Sequence, residues 1–574
     1  MKKIIVVYLL LLSTFGFSQA TGFGSEWNGT TWLGGLPGNG TDVLISGNYN
    51  TSNNGNFTCR NLTITTGSLL IASGDYVDVR VKILSSNTSN FIIESGGNLL
   101  QSIDNGNNNN NIGSITVKRT ATIRNLDYVY WSSPVFGFNN INITSPSNGS
   151  NLYKWIPTVV GNGVGNHGTW VTGSEIMSIG KGYIKRGMTS SVTPINFTTS
   201  FTGIPNNGNV DVDIYSGTYN GIDYLGNSST YSTKNDDNWN LIGNPYPSGL
   251  SADKFLIENS NINGFIKIWS HGTLPSSSNP NPFYGTYAIN YTINDYISYN
   301  LIGASSGPNT FDGKIASGQG FFVLMNNGVT SSTVSFKNPM RNTNNSNFYR
   351  TSSSDDGRVW LDLYKVSTTS ASNEGPKILI GYKNGATDNI DRLYDAITEN
   401  KTGSNFYSIS DNKPLIIQGR KSFTKDDVVL IGLKTISSGD YSITISDKDG
   451  ILDNQTIYIK DNLLNITHDL STPYQFSSEV GVFDNRFELR YEKTLSSDSF
   501  TNDSTIIYSY NNTINVKSDK HIKSIEVYDI SGRLIKDEKY LNINEKSIDI
   551  QNNGIFIVKV TLEGNIIITK KVSN

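Results

Sequence analysis

Three aspartates that lie close together in the sequence form the best candidate for an ion site. Asp447, Asp449 and Asp453 flank Gly450. Carboxylate oxygens at this spacing can coordinate calcium, a hard cation that takes about six to eight oxygen ligands. The spacing lacks the bidentate glutamate of an EF-hand loop, and Asp-Gly is itself a preferred hairpin turn. The sequence therefore favours a hairpin tip here, and calcium is the one cofactor that it leaves open.

Two glycine motifs match catalytic or cofactor patterns but stand in the wrong context. The segment Gly303–Gly307, with Ser305 at its centre, matches the Gly-x-Ser-x-Gly pattern of a nucleophilic serine, yet Pro308 follows where that geometry requires a helix. The segment Gly163–Gly168 matches Gly-x-Gly-x-x-Gly, but a predicted strand at Trp170 replaces the helix that must hold a pyrophosphate. The second segment is predicted to be a loop, and no nucleophile or dinucleotide site is expected.

The histidines do not indicate a metal centre. His167, His271, His468 and His521 are far apart and show no metal-ligand spacing. The paired carboxyl groups of a glycoside hydrolase leave no such trace in a sequence, because two acids about 5–9 Å apart can come from any part of a β-sandwich. A hydrolytic site therefore stays open but is not predicted.

Aromatic side chains are the remaining lead, because flat rings can contact sugar rings or a protein partner. The tryptophans beyond the first hundred residues are Trp131, Trp155, Trp170, Trp239, Trp269 and Trp360. Tryptophans within repeated motifs are expected in the core. Trp170 follows a segment rich in glycine and asparagine, so it is the predicted ligand-contacting residue.

Composition indicates that β-strands must position these residues. The chain has 574 residues, enough for several domains, and is rich in tyrosine, phenylalanine and β-branched residues. Apolar residues at helical spacing are confined to Ser251–Glu258, with Ser251 as a candidate N-cap. Only 16% of residues are charged and the net charge is −3, so neither nucleic acid nor an anionic membrane is an expected partner. The sequence predicts an all-β, multi-domain protein.

The N-terminus has the features of a cleaved signal peptide, predicted over residues 1–20. Two lysines precede the apolar run Ile4–Phe17, and the small residues Ser18 and Ala20 suit a leader-peptidase site. The run is too short for a membrane anchor, and no transmembrane segment is expected in the mature chain. The predicted location is outside the cell or on its outer surface.

Residues 21–125 predict a short β-solenoid, with a β-sandwich as the alternative. Short apolar segments recur about every ten residues, separated by glycine, asparagine and serine, as in folds whose rungs bury side chains against one another. The segments are Val43–Ile45, Leu62–Ile64, Leu69–Ile71, Val77–Val81, Phe91–Ile93, Leu99-Leu100 and Ile115–Val117. Cys59, the only cysteine, is expected to point into this stack as a small apolar residue.

Residues 126–340 contain an internal duplication. The segments Trp131–Pro134, Trp155, Gly180–Tyr183 and Ile195–Phe197 line up in order with Trp239 and Asn244-Pro245, Trp269, Gly318–Phe321 and Val334–Phe336. Each unit is predicted to supply strands to one β-sandwich or to two similar ones. The Gly-x-Gly-aromatic segment is expected to make a close backbone approach just before a buried strand.

The remainder divides into two linkers and two β-domains. A polar stretch, 341–357, predicts a linker, and a strand-rich β-sandwich is predicted at 358–493. A second linker, 494–504, is rich in serine, threonine and aspartate. The last segment, 505–574, shows short alternating strands with turns between them, which predicts a small β-sandwich. Its predicted strands are Thr513–Lys517, Ile522–Asp529, Arg533–Lys536, Ser547–Ile550, Ile555–Leu562 and Ile566–Val572.

The last segment also resembles a known family. Ile525–Ile535, Gly554–Val560 and the closing Lys570–Val572 are similar to the type A C-terminal sorting domain of type IX secretion cargo. The residues that carry the resemblance are Tyr528, Asp529, Gly532, Arg533, Gly554, Lys559, Lys570 and Lys571. The resemblance covers roughly the last 70 residues. It implies an immunoglobulin-like fold, and export through the outer membrane by the type IX secretion machinery.

These features together predict a secreted or surface-attached adhesion-type protein that is not an enzyme. Its expected partners, besides the secretion machinery, are glycans or cell surfaces. The hypothesis depends on the two export signals, the multi-domain β-architecture and the failure of each catalytic motif in its context. The alternative is a secreted hydrolase acting on polysaccharide, or a carbohydrate-binding protein. A scaffold with no ligand of its own is the third possibility.

Overall fold

The described residues of the chain fall into two compact units. The computed structural model describes residues 23–86, 90–104, 106, 108–143, 151–158, 168–187, 191–217, 224–226, 230–232, 238–270, 272, 275–279, 291, 295–308, 310–343, 356–366, 375–398, 403–493, 505–510, 512–551, 554–564 and 566–573. The first unit comprises the described residues up to Phe423 with Leu433–Asn454 and Gln475–Val482, and the second comprises the rest. The predicted signal peptide, 1–20, and linker, 494–504, lie outside the described residues.

The N-terminal part of the first unit is built from strands that alternate between two sheets. They are β1 (Ser25–Trp27), β2 (Trp32–Leu33), β3 (Asp42–Ile45), β4 (Asn48–Asn50), β5 (Phe57–Ile64), β6 (Ser68–Ile71), β7 (Tyr76–Ser85), β8 (Phe91–Ile93), β9 (Asn98–Leu100) and β10 (Ile115–Ile123), with helix α1 (Thr51–Asn54) after β4. One sheet has the order β2-β1-β3-β5-β7-β9, and β4, β6, β8 and β10 are neighbours in the other. From β3 onward each strand pairs in parallel with the next strand of its own sheet. This is a β-solenoid, as predicted, and not the alternative sandwich.

The solenoid buries one apolar side chain above another. Ile45 pairs with Ile64, Leu62 pairs with Ile83, and all four side chains are fully buried. Cys59 is also fully buried in this core, and burial raises the pKa of its thiol. The prediction that Cys59 points into the stack as a small apolar residue is therefore confirmed.

The central part of the first unit follows the solenoid without a break. Its elements are β11 (Tyr128–Trp131), β12 (Val135–Phe136), the 3₁₀ turn η1 (Asn140–Asn142), β13 (Leu152–Ile156), β14 (Thr169–Thr172), β15 (Tyr183–Arg186), β16 (Ile195–Pro205), β17 (Val210–Tyr215), β18 (Tyr224–Gly226), β19 (Thr230–Ser232), β20 (Trp239–Gly243), β21 (Gly249–Ser251), α2 (Ala252–Glu258), β22 (Ile262–Trp269), β23 (Tyr296–Tyr299), β24 (Lys314-Ile315), β25 (Gly320–Met325), β26 (Ser331–Phe336), η2 (Asn338–Met340) and β27 (Arg341-Asn342). Helix α2 is the one predicted from Ser251, whose hydroxyl accepts a hydrogen bond from the Lys254 N–H at 3.3 Å.

The internal duplication is visible as two four-stranded sheets with the same strand order. The first repeat has the order β11-β15-β13-β14, and the second has β20-β25-β22-β23. Trp155 pairs with Trp170 in the first sheet, as Trp269 pairs with Tyr296 in the second. The predicted duplication is therefore confirmed, and Trp155 and Trp269 are equivalent residues.

The strand register corrects one detail of the sequence alignment. Trp131 lies opposite Tyr183, whereas Ile242 lies opposite Phe321, the equivalent of Tyr183. Trp131 therefore corresponds to Ile242, and its alignment with Trp239 was wrong by three residues. The prolines give the right offset, because Pro134 lies three residues after Trp131 and Pro245 lies three residues after Ile242.

The region predicted as a β-sandwich at 358–493 supplies strands to both units. They are β28 (Gly357–Lys365), β29 (Lys377–Tyr382), β30 (Ala396-Ile397), β31 (Asn405–Ser410), β32 (Lys413–Arg420), β33 (Val428–Thr435), β34 (Gly439–Gly450), β35 (Tyr458–Asp461), β36 (Ile466–Asp469), β37 (Tyr474–Ser478) and β38 (Gly481–Arg490). In the first unit the order is β31-β32-β29-β28-β34-β37, with β30 beside β32. In the second unit β35 pairs with β36 and β38.

The predicted linker at 341–357 is only partly a linker. Arg341 is buried, and its guanidinium donates a hydrogen bond of 2.6 Å to the Leu99 carbonyl and lies over the Tyr246 ring. Residues 344–355 lie outside the described residues. The start of the predicted linker therefore belongs to the core, because a side-chain hydrogen bond to a distant strand leaves no local pattern in the sequence.

The last part of the second unit is a small β-sandwich. Its strands are β39 (Ile506–Tyr510), β40 (Thr513–Asp529), β41 (Leu534–Glu538), β42 (Ile543–Asp549), β43 (Ile555–Leu562) and β44 (Ile567–Ser573). The register of β40 shifts between Lys517 and Ile522, so its first half pairs with β39 and β42 and its second half with β41 and β43. One buried apolar core joins the strands. The predicted strands are confirmed, with two of them continuous in β40.

Candidate functional site

The Gly-x-Gly segments of the two repeats cross over to each other. The Ser132 N–H donates to the Gly318 carbonyl at 2.7 Å, and the equivalent Gly243 N–H donates to the Gly180 carbonyl at 2.9 Å. Gly180 and Gly318 have φ values of 75° and 65°, which glycine adopts without steric cost. The predicted close approach is thus confirmed, and the partner of each segment is the first strand of the other repeat.

The equivalent tryptophans make the same exchange. The Trp155 Nε1–H donates to the Trp239 carbonyl at 2.8 Å, and the Trp269 Nε1–H donates to the Tyr128 carbonyl at 2.9 Å. Trp239 and Tyr128 are themselves equivalent, because Trp239 lies opposite Leu324 as Tyr128 lies opposite Arg186 in the matching strand pair. The two repeats are therefore joined with approximate twofold symmetry.

Aromatic rings fill the space between the repeats. Tyr130 stacks on Trp269 with ring centroids 5.6 Å apart, and its hydroxyl lies 2.5 Å from the hydroxyl of Tyr296. Trp170 packs edge-on against Trp155 at 5.0 Å and against Tyr130 at 6.0 Å. Trp170 lies on β14, in agreement with the predicted strand, and is half-buried in this cluster. Its predicted role in ligand contact stays a prediction.

A cleft of about 330 Å³ opens beside Trp155, and we call it the first cleft. Its lining residues are Lys154–Thr158, Glu175, Ser178, Lys181–Tyr183, Tyr215, Asn240 and Leu241. Trp155 and Tyr215 form an aromatic part of the wall. The Asn240 side chain holds the Tyr215 backbone through two hydrogen bonds, which are 2.9 and 2.8 Å long. Lys181 Nζ lies 5.7 Å from the Tyr215 ring centroid. The first cleft thus combines flat rings with polar groups.

The polar wall of the first cleft is a connected network around Glu175. The Tyr183 hydroxyl donates to Glu175 at 2.9 Å and accepts a hydrogen bond of 3.0 Å from the Ser178 N–H. Lys154 forms an ion pair with the same carboxylate. Burial, with Glu175 nearby, raises the pKa of Tyr183 to about 12, so this hydroxyl keeps its proton at neutral pH.

A cleft of about 240 Å³ lies beside Trp269, and we call it the second cleft. Its lining residues are Arg119–Thr122, Val129–Trp131, Trp269 and Ser317–Gly320. Trp269, Gly320 and Tyr130 are here the equivalents of Trp155, Gly182 and Leu241 in the first cleft. The duplication has therefore produced a pair of related clefts whose side chains differ.

The three predicted calcium ligands are placed differently from the sequence expectation. Asp447 and Asp449 lie within β34 instead of at a hairpin tip, and Asp453 is exposed in the following turn. Both Asp449 oxygens accept from Arg358 Nε, at 3.1 and 3.0 Å. Among the described residues, no three histidine, cysteine, aspartate or glutamate side chains are grouped to hold a metal ion. Calcium at this position stays a prediction.

The structure describes one of the two glycine motifs, Gly303–Gly307, in full. Ser305 is buried, and its hydroxyl accepts a hydrogen bond of 3.1 Å from the Ser298 N–H. The Gly163–Gly168 motif lies outside the described residues except for its last glycine. That Ser305 is not a nucleophile stays a prediction.

The residues that carry the sorting-domain resemblance lie along β40, β43 and β44 and the turns between strands. Asp529 accepts hydrogen bonds from the Ser531 N–H at 2.9 Å and the Arg533 N–H at 3.1 Å, and it pairs with the Arg533 side chain at 3.0 Å. The Ser531 hydroxyl is the main cause that lowers the pKa of Asp529. Gly532 has φ 83° in this turn. The Asp529–Arg533 part of the motif is thus a turn in which the Asp529 carboxylate accepts hydrogen bonds from the backbone of the turn.

The other members of that group are spread over three strands. Tyr528 is half-buried at the end of β40, and Gly554 precedes β43. Lys559 pairs with Glu526 at 2.7 Å. Lys570 donates to the Leu464 carbonyl at 3.1 Å, whereas Lys571 is exposed. The two closing lysines therefore differ in environment, because neighbouring strand residues point to opposite faces.

Sequence reasoning missed the polar residues of both clefts. Lys154, Glu175 and Tyr215 lie in segments whose sequence patterns predict strands and loops and contain no functional motif. Arg119 did leave a signal, because it interrupts the inward-facing series of β10 between Val117 and Ala121. A charged residue at an apolar position of an alternating strand is a recognisable exception.

Two family models match the chain. One, described as a domain of unknown function, DUF8693, matches residues 20–491, and another, described as a domain of unknown function, DUF8694, matches residues 495–574. No curated protein matches the chain. Among the described residues, no helix has the length and apolar character needed to cross a membrane.

Proposed function

Because the chain belongs to the DUF8693 family, a domain of unknown function, we propose its role from its own clefts: it is a non-enzymatic, secreted surface protein that binds glycans through the first cleft. The observation that carries the proposal is the pairing of Tyr215 and Trp155 with the polar network around Glu175 in one cleft. Sugars present apolar ring faces and hydroxyl groups together, and such a wall matches both.

Hydrogen bonds hold the backbone of one residue of the aromatic wall and the ring of the other. Asn240 holds the backbone of Tyr215 on both its N–H and its carbonyl, and Trp155 is held by the carbonyl of Trp239. A ring held in this way, as that of Trp155 is, loses little conformational entropy when a sugar stacks on it. The first cleft is therefore suited to binding a rigid, weakly polar surface such as a pyranose face.

The same cleft is poorly suited to glycoside hydrolysis. That reaction uses two carboxyl groups about 5–9 Å apart, one of them as a proton donor. Glu175 is the carboxylate among the described lining residues of the first cleft, and Lys154 and Tyr183 both engage it. The described lining offers no second carboxyl group to complete the pair, which supports binding over hydrolysis.

Export by the type IX route is the second part of the proposal. It is supported by the N-terminal residues typical of a signal peptide and by the resemblance of the last 70 or so residues to the type A sorting domain. The turn at Asp529–Arg533 presents an exposed arginine fixed by its neighbour, a feature that a secretion receptor can bind. The clefts would then face the outside of the cell.

Binding is tested by titration calorimetry of the purified chain with neutral cello-, xylo- and manno-oligosaccharides. We expect at least one series to bind, and Tyr215→Ala to weaken that binding about tenfold, since one stacked ring contributes on the order of 1 kcal/mol or more. Tyr540→Ala is the matched control, because Tyr540 is 97% exposed. Release of reducing sugar by the purified chain, or binding unaffected by Tyr215→Ala, would contradict the proposal.

Export is tested in the native host by deleting Thr505–Asn574. We expect the truncated chain to remain in the periplasm, whereas a chain with Arg60→Gln, a change in an exposed pair of the solenoid, should reach the surface normally. Normal surface display of the truncated chain would contradict the export role. Protease accessibility on intact cells provides the measurement.

A further inference from the structure

Arg119 is a cation in an unusual place. It lies on β10 opposite Thr199 and faces inward with Val117 and Ala121, and its side chain lines the second cleft. Burial lowers the pKa of its guanidinium to about 10, so the group stays charged at neutral pH. A guanidinium at an inward-facing position of a strand needs a partner, because desolvation of an unpaired charge is costly.

The described residues supply no hydrogen-bond or ion-pair partner to the Arg119 side chain, in contrast to the other cations of the same segment. Lys118 pairs with Glu94 at 2.8 Å, and Arg124 pairs with Asp127 at 3.0 Å. Thr199 is buried, and no described residue forms a hydrogen bond with its hydroxyl. The described lining of the second cleft contains no carboxylate. The second cleft therefore carries an uncompensated positive charge that faces open space.

The groups beside Arg119 narrow the class of anion. Trp269 forms an aromatic wall of the cleft, and its ring is held by stacking on Tyr130 and by the hydrogen bond to the Tyr128 carbonyl. The Gln319 carboxamide oxygen accepts from the Ala316 N–H at 3.0 Å, which orients this amide in the wall. A cation, a fixed indole and an amide together suit a ligand with one negative charge, one apolar face and several hydroxyl groups.

We propose that the second cleft binds an acidic sugar residue, with Arg119 taking its carboxylate and Trp269 contacting its ring. This inference rests on the proposed glycan-binding function and names the substrate class of the second cleft. A carboxylate matches the fork of a guanidinium through two parallel hydrogen bonds, which a hydroxyl group cannot do. The duplication thus gives the chain one cleft for neutral sugar and a related one for a uronate.

The test compares a galacturonate trisaccharide with its fully methyl-esterified form, which has the same sugar without the charge. Using the full purified chain in titration calorimetry, we expect the acid to bind at least about tenfold more tightly than the ester. Arg119→Gln should bring the two dissociation constants within about twofold. Lys118→Gln, a neutral substitution at the neighbouring paired cation, should leave the preference unchanged.

Each other outcome has a defined meaning. Equal binding of acid and ester by the native chain overturns the inference, and so does a preference for the acid that survives Arg119→Gln. If neutral oligosaccharides still bind in either case, the proposed glycan-binding function of the first cleft stands. If a sulfated galactose trisaccharide bound as tightly as the galacturonate trisaccharide, the cleft would recognise negative charge alone, and the assignment of a carboxylate would be overturned. Failure to bind any acidic or neutral sugar overturns both proposals together.

A second measurement does not depend on the sugar chosen. Because an unpaired guanidinium destabilises the ligand-free chain, Arg119→Met is expected to raise its melting temperature. The rise in melting temperature that the trisaccharide causes in the native chain should disappear in the variant. A variant that melts below the native chain would show that the guanidinium serves the fold, and would contradict the inference.

Discussion

Trp155 and Trp269 occupy equivalent positions in the two repeats, and each donates its indole N–H to a backbone carbonyl of the other repeat. Each side chain therefore has two roles. It joins the repeats, and its ring lines one of the two clefts. The clefts exist because the repeats exchange contacts, so stability and binding are linked at these two residues.

The first prediction concerns these indole hydrogen bonds. Trp155→Phe and Trp269→Phe each leave a carbonyl without its donor and a gap where the larger ring stood, and each should lower the free energy of unfolding by about 1–3 kcal/mol. Trp170→Phe is the control, because the described residues show no hydrogen bond from its indole. Thermal unfolding followed by near-UV circular dichroism measures the difference. Equal losses in all three variants would contradict the role of the hydrogen bonds.

The second prediction compares the cost of an added methyl group at the second glycine of each Gly-x-Gly segment, Gly182 and Gly320. A Cβ on Gly182 would lie 2.4 Å from Leu241 Cγ, whereas a Cβ on Gly320 would meet its nearest atom, Tyr130 Cβ, at 3.2 Å. Gly182→Ala should therefore destabilise the chain by about 2–4 kcal/mol and Gly320→Ala by less. Gly40→Ala is the control, since no atom of the described residues lies within 4 Å of its added methyl group. Melting temperatures in the reverse order would disprove the asymmetry.

The third prediction is a pH dependence from Asp395. Burial raises the pKa of this carboxyl to about 7, although it accepts hydrogen bonds from the Asp391 and Gly419 N–H groups. The unfolded carboxyl ionises near its ordinary value of 3.8, so between about pH 4 and pH 7 only the folded chain holds this proton. The free energy of unfolding should fall as pH rises through that window and level off above it.

Asp395→Asn tests this dependence. In the native chain, the Asp395 carboxyl should lower the free energy of unfolding by about 2–4 kcal/mol between pH 4 and pH 8, as expected from a difference of about three pKa units between the folded and unfolded chain. The variant should lack this fall. Scanning calorimetry at several pH values measures it. Asp312→Asn is the control, because the side chain of Asp312 is 62% exposed. An unchanged slope in the Asp395 variant would assign the pH dependence to other groups.

The fourth prediction compares two ion pairs of the second unit. Asp461 and Arg486 form a buried pair at 2.9 Å, and Asp461 also accepts from Tyr474 at 3.1 Å. Asp461→Ala removes the carboxylate that pairs with this buried guanidinium, and should lower the free energy of unfolding by about 3–5 kcal/mol. Lys517→Ala breaks a pair to Glu545 in which both side chains are 65% exposed, and should change it by less than about 1 kcal/mol. Denaturant unfolding of both variants decides between these values.

Local patterns were enough to predict much of the fold. Alternation of apolar and polar residues identified the strands of the C-terminal sandwich, and the cap at Ser251 identified helix α2. The recurring apolar segments predicted the solenoid, and Cys59 was placed in its core. These features depend on neighbours within a few residues, so the sequence carries them directly. The alignment of Trp131 with Trp239 failed because similarity of residue type outweighed the spacing to the following proline.

The clefts could not be predicted in this way. Trp155 meets the carbonyl of Trp239, and Arg119 meets open space beside Trp269, only because strands from distant parts of the chain come together. Asp449 likewise engages Arg358 on a neighbouring strand, a partner that its local motif does not show. The sequence by itself determined an all-β chain with an internal duplication. The tertiary structure decided which side chains face each other across the repeats, because pairing over long separations depends on packing and burial that no local pattern records.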